Sequence, residues 1–116
     1  MDLKPIKKAH KPKRRYLAFE IISEKKIIDF SEVLAGILAN LNSFMGKDEL
    51  TKAHMRLLKE TWNPQNQKGL IKVNNSHIKT LREAVSCVKS LGKINARIKT
   101  LGVSGMIKKA KARYLA

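Results

Sequence analysis

The alternation of apolar and polar residues predicts four β-strands. Over residues 14–24 every second side chain is apolar and falls on one side of an extended chain, with Leu17, Phe19 and Ile21 facing inward. Two more strands, at residues 54–62 and 68–74, flank a loop rich in turn-forming residues and form a hairpin. The fourth strand covers residues 96–101.

A spacing of three to four residues between apolar positions predicts two long helices. The first covers residues 29–45, with Asp29 at capping-box spacing from Glu32. The second runs from Asn75 or Ser76 to Leu91, where a glycine ends it. A short helix at residues 48–53 can lie between them.

The order β-α-(α)-β-β-α-β-α predicts an α+β fold of the ferredoxin-like kind, which is also the plan of RNA-recognition motifs. We expect a four-stranded antiparallel sheet, two main helices on one face and a basic C-terminal helix. Residues 14–116 form a single domain in this interpretation. Residues 1–13 form a basic arm with two prolines and no apolar face, so we expect it to be disordered in the free protein.

The C-terminal stretch predicts a glycine-framed turn, Gly102 to Gly105, followed by a helix over residues 106–114. Ser104 is a candidate N-cap for this helix. A phosphate could sit at the junction, held by free backbone N–H groups and surrounded by lysines. The alternative is an ordinary turn followed by a solvated basic helix.

The net charge indicates the kind of partner, because +16 on 116 residues favours a polyanion. Ten of those sixteen charges lie in residues 1–15 and 104–116. Hydrophobic residues make up 43% of the chain, which excludes compositional disorder. Nucleic acid is favoured over a membrane surface, because the basic ends lack a strong apolar face. No apolar run is long enough to span a bilayer.

Catalytic and metal-binding patterns are absent. The single cysteine excludes an internal disulfide and a CxxC zinc site. His10, His54 and His77 have no partner at metal-ligand spacing. Eight acids are scattered between residues 16 and 103, which does not suggest a metal-dependent nuclease. We expect no catalytic residue and no bound metal.

RNA contacts are therefore expected through charge and shape. The third strand lacks the aromatic side chains with which RNA-recognition motifs stack bases, so recognition of the RNA backbone is favoured. The candidate RNA-binding residues are Lys11, Lys13, Arg14, Arg15, Arg97, Lys99, Ser104, Gly105, Lys108, Lys109, Lys111 and Arg113. Ala18, Ile22 and Leu70 form a partly apolar patch on the open sheet face, which is a candidate protein-docking surface.

Three segments resemble segments of one protein family and occur in the same order along the chain. They are RRYLAFEI at residues 14–21, KGLIKVN at 68–74 and LGVSGMIKKAK at 101–111, and they are similar to archaeal ribonuclease P protein component 2. The family pattern has threonine where this chain has Met106, so a hydroxyl role there does not carry over.

The resemblance implies a non-catalytic subunit of the ribonucleoprotein endoribonuclease that removes the 5′ leader of precursor tRNA. The RNA subunit is then the catalyst and uses magnesium, and the polypeptide alone is inactive and binds no cofactor. The implied partners are ribonuclease P RNA, protein component 3 (a TIM-barrel-like subunit), the other protein components and precursor tRNA, in the cytoplasm. A general RNA-binding module of another ribonucleoprotein is the alternative.

Overall fold

One antiparallel sheet organises the chain, and the computed structural model describes residues 13–115. The strands are β1 (Arg14–Ser23), β2 (Arg56–Leu57), β3 (Lys68–Asn74), β4 (Ser90–Leu91) and β5 (Ile94–Ser104). Their order in the sheet is β2-β3-β1-β5-β4, and all neighbours run antiparallel. The α+β class is confirmed. The prediction of four strands is wrong, because β4 adds a fifth at the edge.

The helices lie between and after these strands. They are α1 (Phe30–Met45), α2 (Lys47–Ala53), α3 (Ile78–Ser86) and α4 (Ile107–Ala110), with 3-10 turns at Lys59–Thr61 and Asn75–His77 and a π-helical turn at Lys111–Leu115. Among the helices of residues 13–115, none has the length and apolar character needed to cross a membrane. The predicted basic arm, residues 1–13, lies outside the described residues except for Lys13. The carbonyl oxygen of Lys13 accepts a hydrogen bond from the backbone N–H of Asn75 at 2.7 Å.

The main core forms between one face of the sheet and the helices α1 and α3. Leu17, Phe19 and Ile21 of β1 are at most 3% exposed and meet apolar side chains of both helices. The alternation along β1 therefore predicted the inward face correctly. We call this the helix face of the sheet, and the opposite side the second face.

Helix α1 ends where the sequence predicts and begins one residue later, because Asp29 is its N-cap. The Asp29 carboxylate accepts a hydrogen bond from the backbone N–H of Ser31 at 2.9 Å, and these Ser31 contacts hold the pKa of Asp29 below its usual value. Gly46 ends the helix at φ 87°. The predicted apolar face is only partly buried: Ile37 and Leu41 are inaccessible, whereas Phe44 is 45% exposed.

The predicted second helix is too long. Helix α3 stops at Ser86, and residues 90–95 fold instead into a hairpin of β4 and β5 that turns at Gly92 with φ 63°. Leu91 packs against Gly36 of α1, where an added Cβ would lie 3.0 Å from the Leu91 Cβ. The hairpin therefore depends on a small residue in the neighbouring helix.

The predicted strand at residues 54–62 is also too long, because only Arg56 and Leu57 pair as a strand. Beyond them the hydroxyl of Thr61 accepts a hydrogen bond from the backbone N–H of Leu70 and donates one to the carbonyl of Leu58. A side chain thus replaces the strand partner, which leaves the backbone free to form a 3-10 turn.

The loop before α1 is attached to the loop before β3 by the side chain of Gln67. Its amide accepts a hydrogen bond from the N–H of Ile27 at 3.1 Å and donates to the carbonyls of Ile27 and Pro64 at 2.9 and 2.7 Å. Gln67 is 6% exposed and Ile27 is 2% exposed. Because both residues are buried, water can reach these polar groups only if the two loops separate.

We expect Gln67→Ala to lower the free energy of unfolding by about 3 kcal/mol, because it leaves both backbone polar groups of Ile27 buried without a partner. Glutamine and alanine both place a Cβ at the left-handed φ of 57°, so the substitution removes the side-chain amide without changing the backbone preference. Urea denaturation measures the effect. Gln65→Ala, at an exposed position in the same loop, is the control, and equal losses in the two variants would contradict the interpretation.

Candidate nucleic-acid interface

The predicted glycine turn at residues 102–105 is wrong, because β5 continues as a strand to Ser104. Ala18 pairs with Gly102 and Phe19 pairs with Thr100, which leaves Leu101 as the extra residue of a β-bulge. Leu101 and Val103 consequently contact opposite cores, with Leu101 on the second face. The bulge therefore places Leu101 on the second face, where the C-terminal residues pack.

The C-terminal helical turns fold back onto the second face and cover part of it. Ala18, Leu58 and Leu70 are buried there beneath Ala110. The partly buried side chains around them are Tyr16, Leu101, Ile107, Tyr114 and Leu115. The predicted docking patch is therefore wrong for Ala18 and Leu70, which are 0% and 1% exposed, because α4 covers them. Only Ile22 of that patch is open, at 54% exposed.

Gly102 is needed for this covering, but for its size and not for a positive φ. The aromatic ring of Tyr114 lies where a Cβ on Gly102 would be, so any side chain there would overlap the ring. Gly102 is not among the residues with positive φ. The glycine that the sequence placed in a turn therefore serves close packing of Tyr114 against β5.

The predicted phosphate junction loses its cap. The N-cap of α4 is Met106, and the hydroxyl of Ser104 is used locally: it accepts from the N–H of Met106 at 3.2 Å and donates to the Met106 carbonyl at 3.1 Å. Helix α4 has four residues, so its dipole is small. Gly105 is exposed and lies beside the guanidinium of Arg15. The role of Ser104 and Gly105 in binding RNA stays a prediction.

The C-terminal cations point to solvent. Lys108, Lys109, Lys111 and Arg113 are all exposed around the buried Ala110, so α4 buries one side against the sheet and offers a cationic outer side. None of the four forms an ion pair with an acid of residues 13–115. The arrangement fits contact with a polyanion.

Two further predicted residues lie on the uncovered part of the second face. Arg97 pairs in register with Ile22, and Lys99 pairs with Glu20, and both cations are exposed. Arg15 is half-buried and donates to the carbonyl of Arg14 at 3.0 Å. Lys13 is exposed, and Lys11 lies outside the described residues. Arg97 and Lys99 therefore lie at one end of the second face and the C-terminal cations at the other, whereas Arg15 pairs with Val73 of the helix-face core.

Sequence reasoning missed one feature, a pocket lined by positive charge at the β2 edge of the sheet. It has a volume of about 290 Å³ and is lined by Arg14, His54, Arg56, Lys72 and Asn74. We call it the cationic pocket. Arg56 and Lys72 are 16 positions apart in the chain and meet only because β2 pairs with β3. The alternation of residues in the predicted hairpin puts Arg56 and Lys72 on one face of the sheet. Placing them opposite each other also requires the pairing register of the two strands, which the sequence does not give.

The acids and histidines of residues 13–115 form one close His–carboxylate pair and no metal-binding group. No group of three His, Cys, Asp or Glu side chains among residues 13–115 could hold a metal ion. His77 does have a carboxylate neighbour that the sequence did not indicate, since its Nε2 lies 3.3 Å from an oxygen of Glu49. This contact ties α2 to the turn before α3.

The fold and the surface define a class: a small, strongly basic α+β domain suited to holding a polyanion. The chain belongs to the Rpp14/Pop5 family, whose model matches residues 15–115. The resemblance found in the sequence motifs is thereby confirmed.

Its relatives include archaeal proteins named ribonuclease P protein component 2. The chain is 33% identical over 104 residues to that of Thermococcus gammatolerans, covering 90% of this chain and 84% of the relative. It is 32% identical over 116 residues to that of Pyrococcus horikoshii, covering 98% and 92%. For Methanosarcina mazei the identity is 29% over 103 residues, covering 89% and 84%.

A solved structure shares the fold. A chain in the cryo-EM structure of yeast ribonuclease MRP matches with a TM-score of 0.63 and 16% identity, over 82% of this chain and 76% of that chain. At this identity the likeness shows a common fold.

Proposed function

We infer that this chain is a protein subunit of ribonuclease P, the ribonucleoprotein endoribonuclease that generates the mature 5′ end of tRNA. The observation that carries the inference is the match to the Rpp14/Pop5 family over residues 15–115, together with archaeal relatives named ribonuclease P protein component 2. The charge of +16 supports it independently, because a subunit that holds a folded RNA has to offset phosphate repulsion.

In this role the polypeptide binds and does not catalyse. Exposed lysines and arginines at both ends of the second face neutralise phosphates where RNA strands come close together, which stabilises the active fold of the RNA. The cleavage chemistry and its magnesium ions belong to the RNA subunit. The polypeptide supplies no acid, base or nucleophile, and it is inactive alone.

The proposed partners are ribonuclease P RNA, protein component 3 and the remaining protein components, with precursor tRNA as the substrate of the assembly. The exposed Ile22 is a position that a protein partner can cover. We place the assembly in the cytoplasm. The ferredoxin-like plan is part of the proposal, supported by the order β2-β3-β1-β5 within the sheet.

Reconstitution tests the function. We expect the cognate RNA and the other protein components to need this chain for full precursor-tRNA cleavage at low magnesium, because phosphate repulsion then has to be offset by protein cations. Cleavage rate is measured with and without the chain over a series of magnesium concentrations. If omission changed neither the rate nor the magnesium requirement, the assignment would be wrong.

A further inference from the structure

The cationic pocket carries three cations from three neighbouring strands. Arg14 comes from β1, Lys72 from β3 and Arg56 from β2, and His54 and Asn74 complete the lining. The described residues that line it include no acid. We propose that the cationic pocket binds a phosphate group of an RNA backbone, an inference that rests on the proposed RNA-binding function.

The strand register makes this arrangement unfavourable without an anion. Arg56 lies directly opposite Lys72, and Arg14 lies opposite Asn74, one diagonal step from Lys72. Side chains at directly opposite positions have Cβ atoms about 5 Å apart, and like charges there destabilise a sheet. Within residues 13–115, the ion pairs found are those of Glu49 with Lys52 and His77, so no described acid relieves the repulsion. A phosphate between the cations would.

The chemistry of the lining suits a phosphate. An arginine guanidinium donates two parallel hydrogen bonds to phosphate oxygens, and a lysine ammonium adds a point charge. Asn74 is 8% exposed, and its side-chain amide donates to the carbonyl of Lys52 at 3.1 Å, which fixes one wall of the pocket. His54 ends α2 in the left-handed conformation and contributes a ring that can donate an N–H.

The position of the pocket connects it with the C-terminal cations. Lys72 is two residues from Leu70, and Arg56 is two residues from Leu58, so alternation places all four side chains on the second face. Leu70 and Leu58 are buried beneath α4. The pocket therefore borders the element that bears Lys108 and its neighbours, and one RNA strand can contact both.

A charge-matched pair of variants tests the proposal. We expect Arg56→Gln with Lys72→Gln, in the full chain, to weaken binding of a fluorescently labelled RNA hairpin about tenfold or more and to lower the salt slope by about 1, because one phosphate contact is lost. The control is Lys79→Gln with Arg82→Gln, which removes the same charges from exposed positions of α3, and we expect a change below about threefold. Equal effects of the two pairs in fluorescence anisotropy would overturn the proposal.

A second measurement uses the unaltered protein and identifies the source of the phosphate. We expect the backbone amide signals of Arg56, Lys72 and Asn74 to shift in NMR spectra when the RNA hairpin is added at constant ionic strength. If inorganic phosphate shifted them and the hairpin did not, the pocket would be a small-anion site and the RNA assignment would be overturned. Failure of both probes would overturn phosphate binding altogether.

The stability of the free protein supplies an independent check on the repulsion argument. Without RNA, the Arg56→Gln and Lys72→Gln variant should unfold at a higher temperature than the unaltered protein, because it loses a like-charge pair. A lower unfolding temperature would contradict that argument. Reconstituted precursor-tRNA cleavage tests the proposed function separately. If the chain supports cleavage but the pocket variant binds RNA normally, the pocket proposal fails and the function stands; if the chain does not support cleavage, the function fails.

Discussion

Changing Lys108, Lys109, Lys111 and Arg113 together to alanine is expected to weaken RNA binding about a thousandfold near 0.15 M salt, if each cation contacts one phosphate. Each neutralised phosphate releases a condensed counterion, so the slope of log K against log salt should fall by between about 3 and 4. The four side chains are exposed, and alanine is the best helix former, so the fold should persist. Titrations of RNA binding across a salt series measure both quantities.

The matched control replaces Lys79, Arg82, Lys89 and Lys93 with alanine, which also removes three lysines and one arginine from exposed positions. These residues lie on α3 and around the β4–β5 hairpin, away from the C-terminal turns. A general loss of charge predicts equal effects from both sets, whereas a contact surface on α4 predicts a much larger effect from the first. An unchanged salt slope in the C-terminal variant would remove α4 from the interface.

The parts of the fold that local chemistry determines could be predicted from the sequence. β3 has the predicted bounds, Lys68–Asn74, and α1 begins one residue after its predicted start, because Asp29 caps it. Alternation along β1 also identified its buried face correctly. In each case the residues that determine the structure are neighbours in the chain: the capping residue, the residues of the apolar repeat and the turn residues.

The region after α3 could not be predicted in this way. Val85, Val88 and Leu91 keep a helical spacing, so the period alone extends the helix. The outcome is decided by α1, where the amide of Asn40 donates to the carbonyl of Ser90 at 2.9 Å, and Gly36 leaves room for Leu91. These contacts join residues about fifty positions apart, and no local pattern records them.

The site was predictable in its chemistry but not in its shape. Charge placement identified the exposed cations of the C-terminal helical turns, whereas the cationic pocket depends on a two-residue strand pairing with β3. Ala18 and Leu70 were interpreted as open because they alternate with the inward residues. The cover over them comes from α4 and the π-helical turn after it, whose apolar contacts span too few residues to predict an amphipathic stripe: Ile107, Ala110, Tyr114 and Leu115.

Gly102→Val is expected to detach the C-terminal turns from the sheet while leaving the strands paired. The valine side chain overlaps the ring of Tyr114, and overpacking of this kind costs about 2 kcal/mol. The strand tolerates valine, because Gly102 has no positive φ and β-branched residues favour strands. Trypsin cleavage after Lys108 to Arg113 should therefore accelerate on the order of tenfold, since it reports how often this segment opens.

Two variants decide whether the ring of Tyr114 is the cause. Gly105→Val places a Cβ at an ordinary 3.5 Å from the Arg15 guanidinium, at a residue without positive φ, so its cleavage rate should match that of the unaltered protein. In a Tyr114→Ala background the valine at position 102 no longer meets a ring, and its effect should shrink. An equal effect of Gly102→Val with and without the ring would show that the glycine serves the backbone of β5. RNA affinity measured on the same variants then reports whether the cations of α4 have to be docked on the sheet to bind.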